Sequence, residues 1–210
     1  MAGGAGVAVR VDHANDQQVE RLFTQVEQDH GGLDILVNNA CAVHDELSTS
    51  GAFWQKPLGV VNMLDVGLRS SYVASYFAAP MLVRRGGGLM VFISASDAVF
   101  SPSGPAVEAH QAGIDKFAAS MGVDLRPNKV ASLSIRTEDP KALSTADPLQ
   151  SWRSERSDVT GHVIWALYND PSLMALSGQT LRSADAAIKY RVHDVGSQRV
   201  SADDREMRLR

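Results

Sequence analysis

The alternation of strand-like and helix-like segments constrains the fold of this 210-residue chain more than any other feature. Five short apolar segments have the composition of strands, at residues 6–11, 33–37, 89–94, 131–135 and 179–181. Four longer segments lie between them and have helical patterns, at residues 17–30, 58–85, 106–125 and 159–168. Strands separated by helices indicate βαβ units with a parallel sheet covered by helices on both faces. The sequence therefore predicts an α/β fold.

The first predicted helix has the clearest local signals. Its apolar residues recur at i, i+3, i+4 and i+7, the spacing of one buried face: Val19, Leu22, Phe23 and Val26. Asn15 or Asp16 can cap its first turn, because a short side-chain oxygen accepts a hydrogen bond from a free backbone N–H. Gly31 and Gly32 are expected to end it.

One domain over residues 1–195 is expected, followed by a charged, frayed tail over residues 196–210. Polar connections are predicted at residues 45–56 and 138–157. The N-terminus lacks the basic and apolar regions of a signal peptide. No apolar run approaches the length of a membrane-spanning helix, so no membrane segment is expected.

Charge, cysteine and histidine content limit the partners, the compartment and the metal sites expected for this chain. The chain has 20 Lys and Arg against 24 Asp and Glu, a net charge of −4, so there is no basic excess to attract nucleic acid. Cys41 is the single cysteine, which excludes an internal disulfide and favours the cytoplasm or another reducing intracellular compartment. The six histidines are scattered without metal-ligand spacing, so no metal site is predicted.

Several ordered motifs together resemble the short-chain dehydrogenase/reductase (SDR) family, most of all its “member 1” branch. They are Asp-Ile-Leu-Val-Asn-Asn-Ala at 34–40, Val-Gly-Leu-Arg at 66–69, Asp-Lys at 115–116, Leu-Ser-Gly at 176–178 and Tyr-Arg-Val-His-Asp-Val at 190–195. The resemblance implies a Rossmann-type fold, bound NAD or NADP, and hydride transfer to or from a carbonyl. It also implies that the dinucleotide lies beyond the carboxyl ends of the strands.

The glycine-rich turn of the family has no counterpart here. That turn follows a strand and opens a helix whose N-terminus binds the pyrophosphate. The glycines at 3–6 precede a strand-like segment instead. The fold expected from the resemblance is therefore an incomplete Rossmann-type parallel sheet that lacks the first two strands and the glycine-rich turn, and binding of NAD or NADP is doubtful.

The catalytic positions of the family are also changed. The resemblance places Val107 at the tyrosine that transfers the proton and Gln111 at the lysine that lowers the pKa of that tyrosine. Asp65 stands at the supporting asparagine, and Ser94 or Ala95 at the serine that orients the carbonyl. Valine cannot transfer a proton, and glutamine has no charge with which to shift a neighbour's pKa. No intact catalytic set is therefore predicted.

The resemblance assigns four residues of this chain to a dinucleotide site. Asp12 matches the residue that accepts from the adenine amino group, while Asn39, Ala40 and Cys41 match the lining of the adenine ribose. Each also has a structural interpretation: Asp12 as a turn residue or helix cap, the others as packing at a strand end. For Cys41 an inert, small apolar role is the expected one.

Three functions remain open from the sequence. The favoured one is an SDR homologue without normal NAD(P)-dependent hydride transfer, a pseudoenzyme or fragment. The second is an active carbonyl reductase or alcohol dehydrogenase with an atypical proton donor such as His110 or Ser94. The third is a protein-interaction module that uses helices 58–85 and 106–125, which form the dimer interface in many relatives.

The strand at 33–37 is expected to lie at the edge of the sheet, where unpaired backbone groups favour pairing with another chain. It could pair with residues 6–11, be covered by a second copy or another chain, or leave the protein marginally stable. The sequence predicts a four-stranded core from residue 33 onward, with residues 6–11 as a weakly held fifth strand.

Overall fold

The structure is a computed structural model that describes residues 4–48, 51–95, 104–137 and 157–192. Its centre is a parallel sheet of four strands in the order β1-β2-β3-β4. These strands are β1 (Ile35–Asn38), β2 (Gly88–Ala95), β3 (Val130–Thr137) and β4 (Thr180–Arg182). In their register Val37 pairs with Val91, and Val91 with Leu133. The predicted α/β fold with a parallel sheet is confirmed.

Six α-helices belong to the described part of the chain. They are α1 (Asp16–His30), α2 (Ser70–Arg85), α3 (Pro105–Leu125), α4 (Ser157–Tyr168), α5 (Leu173–Leu176) and α6 (Ser183–Lys189). Short 3₁₀ helices occupy Asp45–Ser48, Phe53–Gln55, Leu58–Val61 and Arg126–Asn128, and a π-helical turn occupies Leu64–Arg69. Within these residues no helix is long and apolar enough to cross a membrane.

Alternating side chains of the strands build two apolar cores, one on each face of the sheet. Met90 and Phe92 of β2 point towards α1, α2 and α3, where they pack with residues such as Val19, Leu82 and Ile114. Leu89 and Val91 point to the opposite face, where Val163 and Leu167 of α4 and Ala186 of α6 cover them. Helices therefore lie on both faces, as predicted.

Asn15 and Gly31 cap the two ends of α1, as predicted. Asn15 Oδ1 accepts a hydrogen bond from the backbone N–H of Gln18 at 3.2 Å. Gly31 ends the helix with φ of 70°, a left-handed conformation that glycine adopts without cost. Val19 and Phe23 are the buried residues of its apolar face.

The prediction that residues 6–11 form a strand is wrong. They form no strand and pair with none, and Val7 and Val9 are 69% and 43% exposed. Only Val11 packs against the core. Alternating apolar residues form a strand only within a ladder of hydrogen bonds, and residues 6–11 do not pair with the edge strand β1.

Other boundaries also differ from the predictions. The loop expected at 45–56 contains two 3₁₀ helices, and the helix expected at 58–85 is interrupted at Val66 and Gly67. The weak strand predicted at 131–135 is eight residues long, and the first six are buried. Helix α6 was not predicted.

The connection expected at 138–157 lies almost entirely outside the described residues, and the tail at 196–210 lies wholly outside them, so the domain limits stay predictions.

Asp170, which follows α4, makes the free energy of unfolding depend on pH in the acidic range. Its carboxylate accepts hydrogen bonds from Ser172 and Tyr190, which hold its pKa well below the usual range. Such a group stabilises the fold above its unfolded pKa of about 3.9, and this stability is lost as the pH falls below that value. We therefore expect Asp170→Asn to lower the free energy of unfolding more at pH 7 than at pH 3, measured by urea denaturation. Equal losses at the two pH values would contradict this, and Asp185→Asn, at an exposed site, is the control.

Candidate functional site

The candidate site lies where the parallel strands end. Asn38 ends β1, Ser94 lies near the end of β2, and Arg136 is its register partner on β3. Helix α3 begins at this edge and runs back along the sheet, so its first two turns adjoin the strand ends. The π-helical turn Leu64–Arg69 packs against α3. This is the edge at which open parallel sheets bind ligands.

Val107, which the resemblance places at the tyrosine position, has an apolar and fully buried environment. Its side chain is 0% exposed. It belongs to a small cluster with Leu47, Val60 and Met63, and Cys41 packs against this cluster. A buried valine has no group that can donate or accept a proton, so this position supplies no acid or base.

Gln111 and Ser94 are buried without hydrogen bonds from their functional atoms. Gln111 is 6% exposed and Ser94 3% exposed. Within the described residues neither Gln111 Nε2 nor Ser94 Oγ has a hydrogen-bond partner. Of the two alternatives for the serine position, Ser94 carries a hydroxyl and Ala95 does not; Ala95 pairs with Thr137 in the sheet.

Backbone groups of the π-helical turn bond to neighbouring segments of the chain. Gly67 has φ of 147° and ψ of −74°, and its N–H donates to Ser70 Oγ at 2.9 Å. The carbonyl of Val66 accepts from the N–H of Ala42 at 2.7 Å, and that of Gly67 accepts from Ser71 Oγ. Asp65 is exposed on this turn. These bonds tie the turn to the segment after β1 and to the start of α2.

Cys41 and His110 meet behind this turn. Cys41 Sγ lies 4.0 Å from His110 Nε2. Burial raises the pKa of the Cys41 thiol to about 11 and lowers the pKa of His110, so both groups are neutral near pH 7. A neutral thiol is a poor nucleophile, which agrees with the inert role expected for Cys41. Sequence reasoning missed this contact, because 69 residues separate the pair and no local pattern links them.

The four residues expected at a dinucleotide site have different surroundings in the structure. Asp12 is exposed, and its carboxylate accepts from the N–H of Ala14 at 2.9 Å, as in a turn. Asn39 and Ala40 line a groove of about 180 Å³ between β1, α1 and α2, which His13, the residue after Asp12, also lines. Cys41 faces His110 instead. Asn38, which is buried, donates to Ser75 Oγ at 3.0 Å and joins β1 to α2.

The described residues do not fit the phosphates of a dinucleotide. A phosphate site at a helix N-terminus needs free backbone N–H groups. In α1 the N–H of Gln18 already bonds to the Asn15 side chain, and α3 begins with Pro105, which has no N–H. The part of the chain that the structure describes contains no glycine-rich turn from a strand into a helix. It also contains no group of three or more His, Cys, Asp or Glu side chains that could hold a metal.

Comparison with known proteins shows where the chain belongs. A family model described as “Enoyl-(Acyl carrier protein) reductase” matches residues 1–163. Dehydrogenase/reductase SDR family member 1 of Homo sapiens is 34% identical over 218 residues, which cover 94% of this chain and 70% of that protein. The protein of the same name from Mus musculus is 30% identical with the same coverage.

Solved structures share the fold at low identity. A protein described as a short-chain dehydrogenase/reductase from Burkholderia xenovorans superposes with a TM-score of 0.66 at 18% identity, covering 86% of this chain and 74% of its own. A protein described as a 3-oxoacyl-reductase from Bacillus thuringiensis also gives 0.66, at 15% identity, covering 83% and 74%. These likenesses establish the fold alone.

Proposed function

The chain belongs to the short-chain dehydrogenase/reductase family, and we propose that it is a member without the family's usual hydride transfer. The observation that carries this proposal is the burial of Val107 in an apolar cluster, since the resemblance assigns the proton-transferring tyrosine to this position. Gln111, one helical turn further, supplies no charge. General acid–base catalysis contributes about 10²- to 10⁴-fold to a rate, so its loss alone makes turnover slow.

The family suggests NAD or NADP as a ligand in general, and the nicotinamide group would supply the hydride. The contacts of the described residues argue against NAD or NADP as a ligand of this chain. Asp12 accepts a hydrogen bond within a turn, Asn15 caps the first turn of α1, α3 begins with Pro105, and Cys41 faces His110. We therefore propose that the site edge is closed by packing rather than by a dinucleotide. The cytoplasmic location stays a prediction.

The test is oxidation of NADH and NADPH with a panel of aldehydes and ketones, followed at 340 nm. We expect oxidation rates no higher than those without protein, because Val107, which the resemblance places at the tyrosine position, cannot transfer a proton. Carbonyl-dependent oxidation well above that background would contradict the proposal.

A double variant, Val107→Tyr with Gln111→Lys, locates the cause of inactivity. We expect it to remain inactive, because it restores the acid and its lysine but no phosphate site. Activity in the double variant and not in the natural chain would show that the dinucleotide binds and that only the proton donor is missing.

The alternative of an atypical proton donor has limited support. His110 has the right chemistry, but burial lowers its pKa and its Nε2 faces Cys41. Ser94 has no hydrogen-bonded base among the described residues. If the natural chain oxidises NADPH, His110→Ala and Ser94→Ala identify which of them is required.

A second candidate function is self-association through α2 and α3. Tyr72 and Tyr76 of α2 are 50% and 66% exposed, and the Tyr72 ring lies 5.6 Å from that of Phe117 on α3. A groove of about 180 Å³ between the helices includes Met121. Half-exposed tyrosines beside an apolar groove are typical of protein interfaces. We propose a homodimer through this face, although another chain covering the free edge of β1 stays an alternative.

Light scattering coupled to size-exclusion chromatography tests the homodimer. We expect twice the chain mass of 22.6 kDa, falling to the monomer in Tyr76→Lys because burial of an added charge opposes association. Trp165→Lys, on α4 at the opposite face and 61% exposed, is the control that should not change the mass. A dimer unaffected by Tyr76→Lys would place the interface elsewhere.

A further inference from the structure

A groove of about 370 Å³ runs between helices α1 and α2, and its volume is in the range of small-molecule sites. Residues three and seven positions apart lie on one face of a helix, and such a face of each helix forms a wall of the groove. These residues are Glu20, Phe23 and Glu27 of α1, and Phe77, Pro80 and Arg84 of α2. The groove is therefore about two helical turns long, or roughly 10 Å.

The floor of the groove is aromatic and apolar. The rings of Phe23 and Phe77 stack with their centroids 6.5 Å apart and their planes 26° from parallel. Met81, which is 4% exposed, also lines the groove. A floor of this kind packs against the apolar body of a ligand, and the faces of its rings attract a cation.

The charged residues of the groove are not balanced. Arg84 Nη2 lies 2.9 Å from Glu27 Oε2, so these two charges offset each other. Glu20 is exposed, and its carboxylate has no ion pair or hydrogen bond within the described residues. The groove therefore carries one uncompensated negative charge, which favours a cation over an anion.

Pro80 leaves a backbone acceptor without its usual donor in the same wall. Proline has no N–H, so within α2 it donates no hydrogen bond to the carbonyl of Tyr76, four residues earlier. The proline ring adjoins this carbonyl, and Pro80 itself lines the groove. The Glu20 carboxylate and the Tyr76 carbonyl are both acceptors, so the ligand that suits them is a donor.

We propose that the α1–α2 groove binds a small primary amine with an apolar body, in its ammonium form. The ammonium group donates to the Glu20 carboxylate and to the Tyr76 carbonyl. The apolar body lies over the rings of Phe23 and Phe77. This inference is independent of the proposed function, because the groove lies between two helices and not at the strand ends.

The experiment titrates the full chain with 2-phenylethylammonium and follows the ¹H–¹⁵N backbone signals. The matched compounds are 2-phenylethanol, which has the same body without the charge, and phenylacetate, which carries the opposite charge. We expect the ammonium compound to shift the signals of Phe23, Thr24 and Phe77 in a saturable way. Binding of 2-phenylethanol should be about tenfold weaker, and phenylacetate should leave these signals in place. Equal affinity for 2-phenylethanol, or no saturable shift with the ammonium compound, would overturn the proposal.

Glu20→Gln removes the charge and keeps the shape of the side chain. We expect it to weaken binding of 2-phenylethylammonium about tenfold, and to fold normally because no partner of Glu20 is lost within the described residues. Glu108→Gln, at an exposed carboxylate on α3 outside the groove, is the matched control and should bind as the natural chain does. Equal weakening in the two variants would show that net charge attracts the ligand, and would overturn the proposal.

Pro80→Ala tests the carbonyl separately. Alanine supplies the N–H that α2 lacks at this position, so the Tyr76 carbonyl becomes paired within the helix and the melting temperature should rise. Because that acceptor is then occupied, we expect weaker binding of 2-phenylethylammonium in a more stable protein. An unchanged Kd in Pro80→Ala would contradict the role assigned to the carbonyl.

Discussion

Replacing Gly67 with alanine is expected to lower the free energy of unfolding by about 3 kcal/mol. Gly67 has φ of 147°, which residues with a side chain rarely adopt. A Cβ at this position would lie 2.8 Å from His110 Nε2 and 3.1 Å from Cys41 Sγ. Both backbone strain and overpacking therefore oppose the substitution. Urea denaturation at pH 7 measures the effect.

Gly161→Ala is the matched control for this substitution. Gly161 lies inside α4, and a Cβ there meets nothing within 4 Å. Alanine is the better helix former by about 1 kcal/mol, so this variant should gain stability. Adding Cys41→Ala to Gly67→Ala should recover part of the loss by removing the sulfur contact. An unchanged stability in Gly67→Ala would mean that the turn is not built as described.

Asp115→Ala is expected to lower the free energy of unfolding by about 3 kcal/mol, because it removes a largely buried carboxylate that accepts from a guanidinium and a hydroxyl. The Asp115 carboxylate accepts from Arg136 Nη2 and Ser134 Oγ, each at 2.6 Å. Its side chain is 15% exposed and that of Arg136 is 30% exposed, so water compensates little. The pair joins α3 to β3 beside the candidate site. Chemical denaturation gives the difference.

Asp34→Ala removes an ion pair of the same kind at the surface. Asp34 lies 2.8 Å from Arg85, and the two side chains are 46% and 56% exposed. Exposed pairs contribute less than about 1 kcal/mol, so this variant should lose far less stability. Equal losses from Asp115→Ala and Asp34→Ala would show that burial of the first pair has no energetic weight.

The parts of the fold that local sequence determines were predicted well. Asn15 and Gly31 bound α1, and apolar runs marked β1, β2 and β3. Local patterns decide these elements because caps, glycines and burial act within a few residues. The failure at residues 6–11 has the opposite cause, since a strand needs a partner that its own sequence does not specify.

The candidate site also has features that the sequence predicts and features that only long-range packing decides. The resemblance pointed to Val107 and Gln111 as changed positions and to Ser94 as a candidate serine, and the structure buries all three side chains. It could not show that Ser94 Oγ and Gln111 Nε2 are unpaired, since hydrogen bonding depends on long-range packing. The contact of His110 with Cys41 is equally invisible to local patterns.

The central claim is that this member of the family lacks the dinucleotide chemistry of its relatives. Thermal unfolding with and without NAD, NADH, NADP and NADPH at millimolar concentration tests it most directly. A ligand at about 100 times its Kd adds about 2.7 kcal/mol to the folded state, which raises Tm by roughly 5–10 °C in a domain of this size. We expect no rise with any of the four. A rise with one of them would contradict the claim and show that the strand ends still form a dinucleotide site.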